Sequence, residues 1–228
     1  MKNAIFAYLK AHPPALELFN RLAQSGNIYL IGGVLREFLD HGTISNLRDI
    51  DIIVDIRNRD LWNETLTKYA LRCNRFGGYK LVCDGLLIDT WSVEQTWAFR
   101  EKIINCSPNE YISMLPETVF LNIDGIIYDW TQEKWEDTKY RQALASKTLD
   151  VVLAPNPQVL LNIVRTFVLK HRYSLCLSSE LKRIIREEFD KSGNIDFFVD
   201  SLMVEQNRRY QSEIISKASF LLELNNII

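Results

Sequence analysis

Residues 29–55 read YLIGGVLREFLDHGTISNLRDIDIIVD, and this stretch decides the fold. Ile28–Ile31 is an apolar run of strand length. Gly32 and Gly33 follow at once, then a helical pattern over Val34–Asp40, a polar loop, and a second apolar run carrying Asp49-Ile50-Asp51. The order predicts strand, glycine turn, helix, loop, strand. Glycines let backbone N–H groups approach a bound anion, and the helix N-terminus behind them favours negative charge. Asp49 and Asp51 are two apart on a strand, so both carboxylates are expected on one face, roughly 7 Å apart along the chain. Two carboxylates on one face suit a hard cation such as magnesium. A phosphate cradle beside such a pair points to phosphoryl transfer from a nucleotide.

The 228 residues suffice for one large domain, or a domain with a smaller attachment. A hydrophobic content of 47% supplies a sizeable core and argues against global disorder. The 27 basic and 29 acidic residues balance to a net charge of −2, which does not mark the whole chain as a nucleic-acid binder. Cys73, Cys83, Cys106 and Cys176 lack metal-ligand spacing and read as reduced and mostly buried, and the three histidines form no cluster. MKNAIFAYLKAHPP has too short an apolar run for a signal peptide. No stretch approaches ~20 apolar residues, so no membrane partner is expected and a soluble cytoplasmic protein is the default.

Outward from the central stretch, residues 2–11 predict a short amphipathic helix. Pro14 suits the first turn of the next helix, which Gly26 is placed to end. Asp60–Arg72 has helical periodicity, with Asp60 as its N-cap. Tyr79–Cys83 and Leu86–Trp91, joined by Asp84-Gly85, predict a hairpin, and Thr118–Ile123 and Ile126–Trp130, joined by Asp124-Gly125, predict another. Asp89, between Ile88 and Thr90, is a carboxylate in an apolar strand and needs a partner or water. It lies beside Asp49 and Asp51 if the two strands are neighbours. Helix-length segments lie around Val93–Lys102, Pro108–Leu115 and Gln132–Ala145. From about Asn156, Gln158–Tyr173, Ser179–Lys191, Asp196–Glu205 and Gln206–Asn225 all read as helices. A boundary is expected near 150, giving a head over 1–150 and a helical domain over 151–228.

GGVLRE at Gly32–Glu37 and RDIDI at Arg48–Ile52 together resemble the head domain of class II tRNA CCA-adding enzymes and bacterial poly(A) polymerases, in the polymerase-β-like nucleotidyltransferase superfamily. RFGGYKLVCDGLLIDTWSVE is similar to that family's carboxylate-bearing hairpin. TVFLNIDGIIYD is similar to its asparagine segment, here Asn122, and NPQVLLNIVRTFVLKHRYSLCLSSELKRII to its helical neck. The likeness covers most of residues 28–190. It implies an α/β (α+β) mixed-sheet head followed by an all-helical neck-like domain. Two motifs depart from the family pattern. Pro116–Phe120 stands where Arg-Arg-Asp-Phe-Thr is usual, and the neck has Asn162 where an arginine is expected, no acidic pair, and only Arg165 surviving.

The resemblance implies a metal-dependent transfer of a nucleoside monophosphate from a nucleoside triphosphate, ATP or CTP, to an acceptor hydroxyl, with release of pyrophosphate. The expected acceptor is a tRNA-like RNA 3′ end. A protein or small-molecule acceptor and a non-catalytic nucleotide- or RNA-binding module remain alternatives. Asp49 and Asp51 would hold two Mg2+ ions, with Asp89 completing the second site and taking the proton. Gly32 and Gly33 would bind phosphates and Arg36 would lie near them. Asn122, Asn162 and Arg165 would contact the nucleotide. Gln158, Asn162 and Arg165 share one helix side, and amides present both donors and acceptors, which predicts looser base selection, or a preference for one base set by shape, rather than ordered addition of C then A. Arg36 also fits a plain surface residue, Asp89 a partner for a structural arginine, and Asp55 a solvated strand end.

Overall fold

A computed structural model of the protein describes residues 1–45 and 49–228; Arg48 of the second motif lies outside the described residues. In chain order the helices are α1 (Lys2–Lys10), α2 (Pro13–Ser25), α3 (Gly33–His41), α4 (Arg59–Tyr69), α5 (Trp97–Arg100), α6 (Tyr111–Met114), α7 (Thr138–Ser146), α8 (Val159–Tyr173), α9 (Ser179–Ser192), α10 (Ile195–Tyr210) and α11 (Lys217–Asn225). The strands are β1 (Gly26–Ile31), β2 (Ile50–Ile56), β3 (Ala70–Cys73), β4 (Tyr79–Cys83), β5 (Leu86–Ser92), β6 (Ile127–Asp129), β7 (Lys134–Glu136), β8 (Thr148–Leu149) and β9 (Cys176–Leu177). The chain forms two compact units, residues 1–118 with 124–138, and residues 119–123 with 139–228. Residues 139–150, which the sequence assigns to the head, thus pack with the helical unit.

The first unit is built on a seven-stranded sheet of order β3-β4-β5-β2-β1-β6-β7. Neighbours are antiparallel except β2 and β5, which run parallel. The mixed sheet follows from alternation. On β5, Leu86, Ile88, Thr90 and Ser92 are buried and the residues between them half-buried. Leu30, Ile52, Thr90 and Tyr79 align across four strands, as Ile50, Ile88 and Leu81 do across three. α2 and α4 pack against these strands and against each other, burying Leu18, Phe19, Leu22 and Trp62. Each such side chain contributes about 1.5–3 kcal/mol on leaving water. On the opposite face Tyr29, Ile53 and Ile127 form a second cluster with Val93, Phe99 and Leu115.

The local signals are resolved residue by residue. Asp84 and Gly85 both have positive φ, 51° and 75°, as the type I′ hairpin turn requires. The expected N-cap Asp60 is displaced by Asn58, whose side chain accepts from the Leu61 N–H at 3.1 Å. Ala70, Leu71 and Arg72, read as the end of that helix, belong to edge strand β3. The second predicted hairpin does not form. The Val119, Phe120 and Asn122 backbones bond instead to Leu153, Val152 and Asp150, and β6 pairs with β1 and β7. The 93–102 and 108–115 segments hold only the short α5 and α6 with single 3-10 turns.

In the second unit Ile163, Val164, Phe167, Ile185, Phe198, Leu202, Phe220 and Leu224 build one core from α8 to α11. It is helical except for β8 and β9, which pair in parallel. α10 runs through the expected break at 205–206. Gln206 is fully buried, donating to the Ile215 carbonyl at 2.9 Å and accepting from the Ile215 N–H at 2.8 Å. This pins the turn that precedes α11. No helix among the described residues is long and apolar enough to cross a membrane.

Candidate active site

The glycine turn, Asp51 and Asp89 come together on one face of the sheet. β1 ends at Ile31, which pairs with Asp51 on β2. Asp51 in turn pairs with Asp89 on β5, so the condition set by the sequence, that the two strands be neighbours, is met. Residues in register on adjacent strands share a face, with backbones about 4.8 Å apart. Asp49 immediately precedes β2 and is half-buried.

Gly32 is held at φ +75°, and a Cβ there would stand 2.8 Å from Asp51 Oδ2. Both facts reserve the position for glycine. The Asp51 carboxylate therefore lies directly against the turn. Gly33 opens α3, and a Cβ on it would meet nothing within 4 Å, so there is open space at that position.

Asp89 has the partner that its setting demands, and it is a lysine. Lys80, paired with Asp89 across the β4–β5 hairpin, places Nζ 2.6 Å and 2.8 Å from the two carboxylate oxygens. Their side chains are 21% and 27% exposed, so the pair is sheltered without being sealed from water. Among the described residues no group of three His, Cys, Asp or Glu side chains is arranged to hold a metal ion. Asp49 and Asp51 still offer the hard oxygen donors that magnesium prefers, and that donor pair fits a cation. Asp89 becomes a third donor only by releasing Lys80.

Of the remaining residues singled out by sequence, Arg36 belongs to the first unit and Asn122, Asn162 and Arg165 to the second. Arg36 is not a surface residue. It is 8% exposed, bonded through Nη1 to Asp124, and its Nε has no hydrogen-bond partner. Asn122 belongs to the second unit. Its Nδ2 donates to the Thr148 carbonyl at 3.1 Å, and its Oδ1 accepts from the Ile123 and Asp150 N–H groups at 2.9 Å and 3.0 Å. An amide with those bonds is a backbone staple. Asn122→Ala is expected to cost about 1–3 kcal/mol of stability, since it strips partners from buried backbone groups. Urea unfolding followed by tryptophan fluorescence measures this.

Asn162 and Arg165 lie on α8 of the second unit, with Asn162 buried and its Nδ2 unpartnered. Asp55 pairs in register with Asn27 near the end of β2 and is half-buried. Trp130 is core, in edge contact with Phe19 at 4.7 Å, and Trp135 stacks on Phe38. Lys80 is a site residue among those described that the sequence did not single out. The signal was present in register, because a two-residue turn at Asp84-Gly85 fixes Lys80 opposite Asp89.

No protein-family model matches the sequence, and no curated protein matches it. Solved structures do. A CCA-adding enzyme in complex with CTP superposes with a TM-score of 0.63 at 16% identity, over 98% of this chain and 53% of that one. The complex of a CCA-adding enzyme with ATP gives 0.61 at 16% identity, over 96% and 52%. A tRNA nucleotidyltransferase complexed with a primer tRNA and an incoming ATP analogue gives 0.56 at 16% identity, over 88% and 57%. The chain spans about half the length of the structures it resembles. At that identity the likeness is one of fold, and the fold of this chain is the one seen in CCA-adding enzymes.

Proposed function

We propose that this chain is a nucleotidyltransferase that moves a nucleoside monophosphate from a nucleoside triphosphate to the hydroxyl of an RNA 3′ end. The observation that carries this reading is the register of Asp51 with Asp89 beside a glycine turn that backs onto the Asp51 carboxylate. The fold supports it, since it is shared with solved enzymes described with CTP, ATP and tRNA.

In this reading the Gly33 N–H and its successors at the start of α3 bind the β- and γ-phosphates, which the open space there admits. Asp49 and Asp51 orient the α-phosphate beside them. Two magnesium ions on Asp49 and Asp51, with Asp89 as a further donor, would neutralise the triphosphate and lower the pKa of the attacking hydroxyl. The acceptor oxygen forms a bond to the α-phosphorus as the bond to the β-phosphate oxygen breaks. The hydroxyl proton passes to Asp89, and pyrophosphate leaves along the glycine turn. Asn162, with its unpartnered amide, and Arg165 are the proposed base contacts. Because an amide can serve either base edge, they give loose selectivity.

Incubation with each labelled nucleoside triphosphate, magnesium and RNA, with release of pyrophosphate as the readout, tests the proposal. Absence of both label transfer and pyrophosphate with all four nucleotides defeats it. A second reading, nucleotide binding without transfer, draws on the Lys80–Asp89 pair, which occupies the carboxylate that transfer needs. Nucleotide affinity without turnover would establish that alternative.

Gly33→Val is expected to weaken ATP binding by tenfold or more, because the branched side chain fills the space the phosphates need. That is about 1.4 kcal/mol or more of binding energy. Stability is expected to change little, since nothing lies within 4 Å of the new Cβ. Titration of ATP and a thermal melt on both proteins check the two halves. Equal affinities would reduce the turn to a structural one.

A further inference from the structure

The sheet places a row of four charged residues in register across the site: Arg72 on β3, Lys80 on β4, Asp89 on β5 and Asp51 on β2. All four share one face, two cations followed by two carboxylates. Arg72 is exposed on edge strand β3, and Lys80 is bound to Asp89 through both carboxylate oxygens. The glycine turn lies at the other end of this row, beyond Asp51.

That order has a direction. In phosphoryl transfer the attacking and leaving oxygens lie roughly in line through the phosphorus. If the triphosphate sits on Gly32 and Gly33, the leaving pyrophosphate occupies the β1–α3 side of Asp51. The attacking hydroxyl then comes from the opposite side, over Asp89 and the strands beyond it. Those strands present Lys80 and Arg72.

We propose that Lys80 and Arg72 form the contact for the backbone phosphate of a polynucleotide acceptor, and that Lys80 exchanges partners there. At rest its ammonium neutralises Asp89, which would otherwise stand beside Asp51 as a like charge. When the acceptor phosphate and the cation arrive, Lys80 turns to the phosphate and Asp89 is released to the site. The inference rests on the nucleotidyltransferase reading and identifies the residues on the acceptor side. A lysine ammonium suits the exchange, being a point charge with three donors on a flexible stem. Arg72, exposed beside it, supplies a planar fork for the same phosphate. A protein acceptor offers no phosphate for this pair to hold.

The test uses the full chain, a fluorescein-labelled single-stranded RNA, ATP and Mn2+ as separate ligands. Lys80→Met and Arg72→Met are each expected to weaken RNA binding several-fold. Each should also lower the slope of log affinity against log salt, and the double variant should lower it by about 0.7, the loss of one phosphate contact on a single strand. Lys80→Arg should keep both. Mn2+ should bind more tightly to Lys80→Met than to the wild type, because the ammonium no longer competes for Asp89, and equally to Arg72→Met. RNA affinity and salt slope unchanged in both methionine variants overturn the contact. Equal Mn2+ affinity in Lys80→Met overturns the exchange. ATP affinity reports separately on the glycine turn. A wild type that binds RNA but not ATP refutes the nucleotidyltransferase reading, and the RNA arms still decide this inference.

Discussion

Asp51→Ala is expected to reduce nucleotide transfer about a thousandfold, equivalent to about 4 kcal/mol of lost transition-state stabilisation, while leaving the protein folded. Asp51 lies between the glycine turn and Asp89, the only described residue in register with Asp89 that also abuts Gly32. Its removal separates the phosphate side of the site from the acceptor side. The folded state should tolerate the change, because Asp51 is half-buried and stands next to a second carboxylate in register. A melting temperature within about 4 °C of the wild type, with single-turnover transfer near background, is the expected pair of results. Full turnover in the presence of magnesium would remove Asp51 from the mechanism.

Arg36→Ala is expected to act on stability first, costing about 3–5 kcal/mol, the typical loss when one member of a buried ion pair is deleted. The guanidinium and the Asp124 carboxylate are 10% and 9% exposed in their side chains, and they join α3 to the segment before β6. Alanine removes the Arg36 guanidinium from the buried Asp124 carboxylate. The double variant Arg36→Met with Asp124→Leu should recover most of the loss, since neither charge is then stranded. Urea denaturation gives the comparison. If Arg36→Ala instead kept its stability and lost ATP affinity, Arg36 would return to the phosphate role that sequence suggested.

The parts of the fold legible in sequence were those set by local chemistry. Gly32 announced its turn because no other residue fits there. Asp84-Gly85 announced its hairpin because both positions take positive φ. The same dipeptide pattern failed at Asp124-Gly125. The residues before it found better backbone partners at 150–153, a long-range pairing that no local signal reports. The polar residues Arg36 and Asn122 carried the same ambiguity. Charge and amide chemistry mark a residue as needing partners but not whether those partners are ligand or protein, and here Asp124 and the 148–150 backbone took both. Lys80 went unread for the opposite reason. A lysine in an edge-side hairpin is ordinary until the register shows which carboxylate it faces.

The parallel run of β2 beside β5 governs how the site comes into being. Parallel neighbours cannot be joined by a tight turn, so the chain between them winds through α4, β3 and β4 before β5 reaches its place. The loop-closure entropy of that excursion is met before the Asp51–Asp89 register gives anything back. Hairpins and helices form from near neighbours and are fast; this pairing is non-local and slow. The β4–β5 hairpin that delivers Asp89 to this pairing also delivers Lys80, so Asp89 reaches β2 with a counter-charge from its own hairpin.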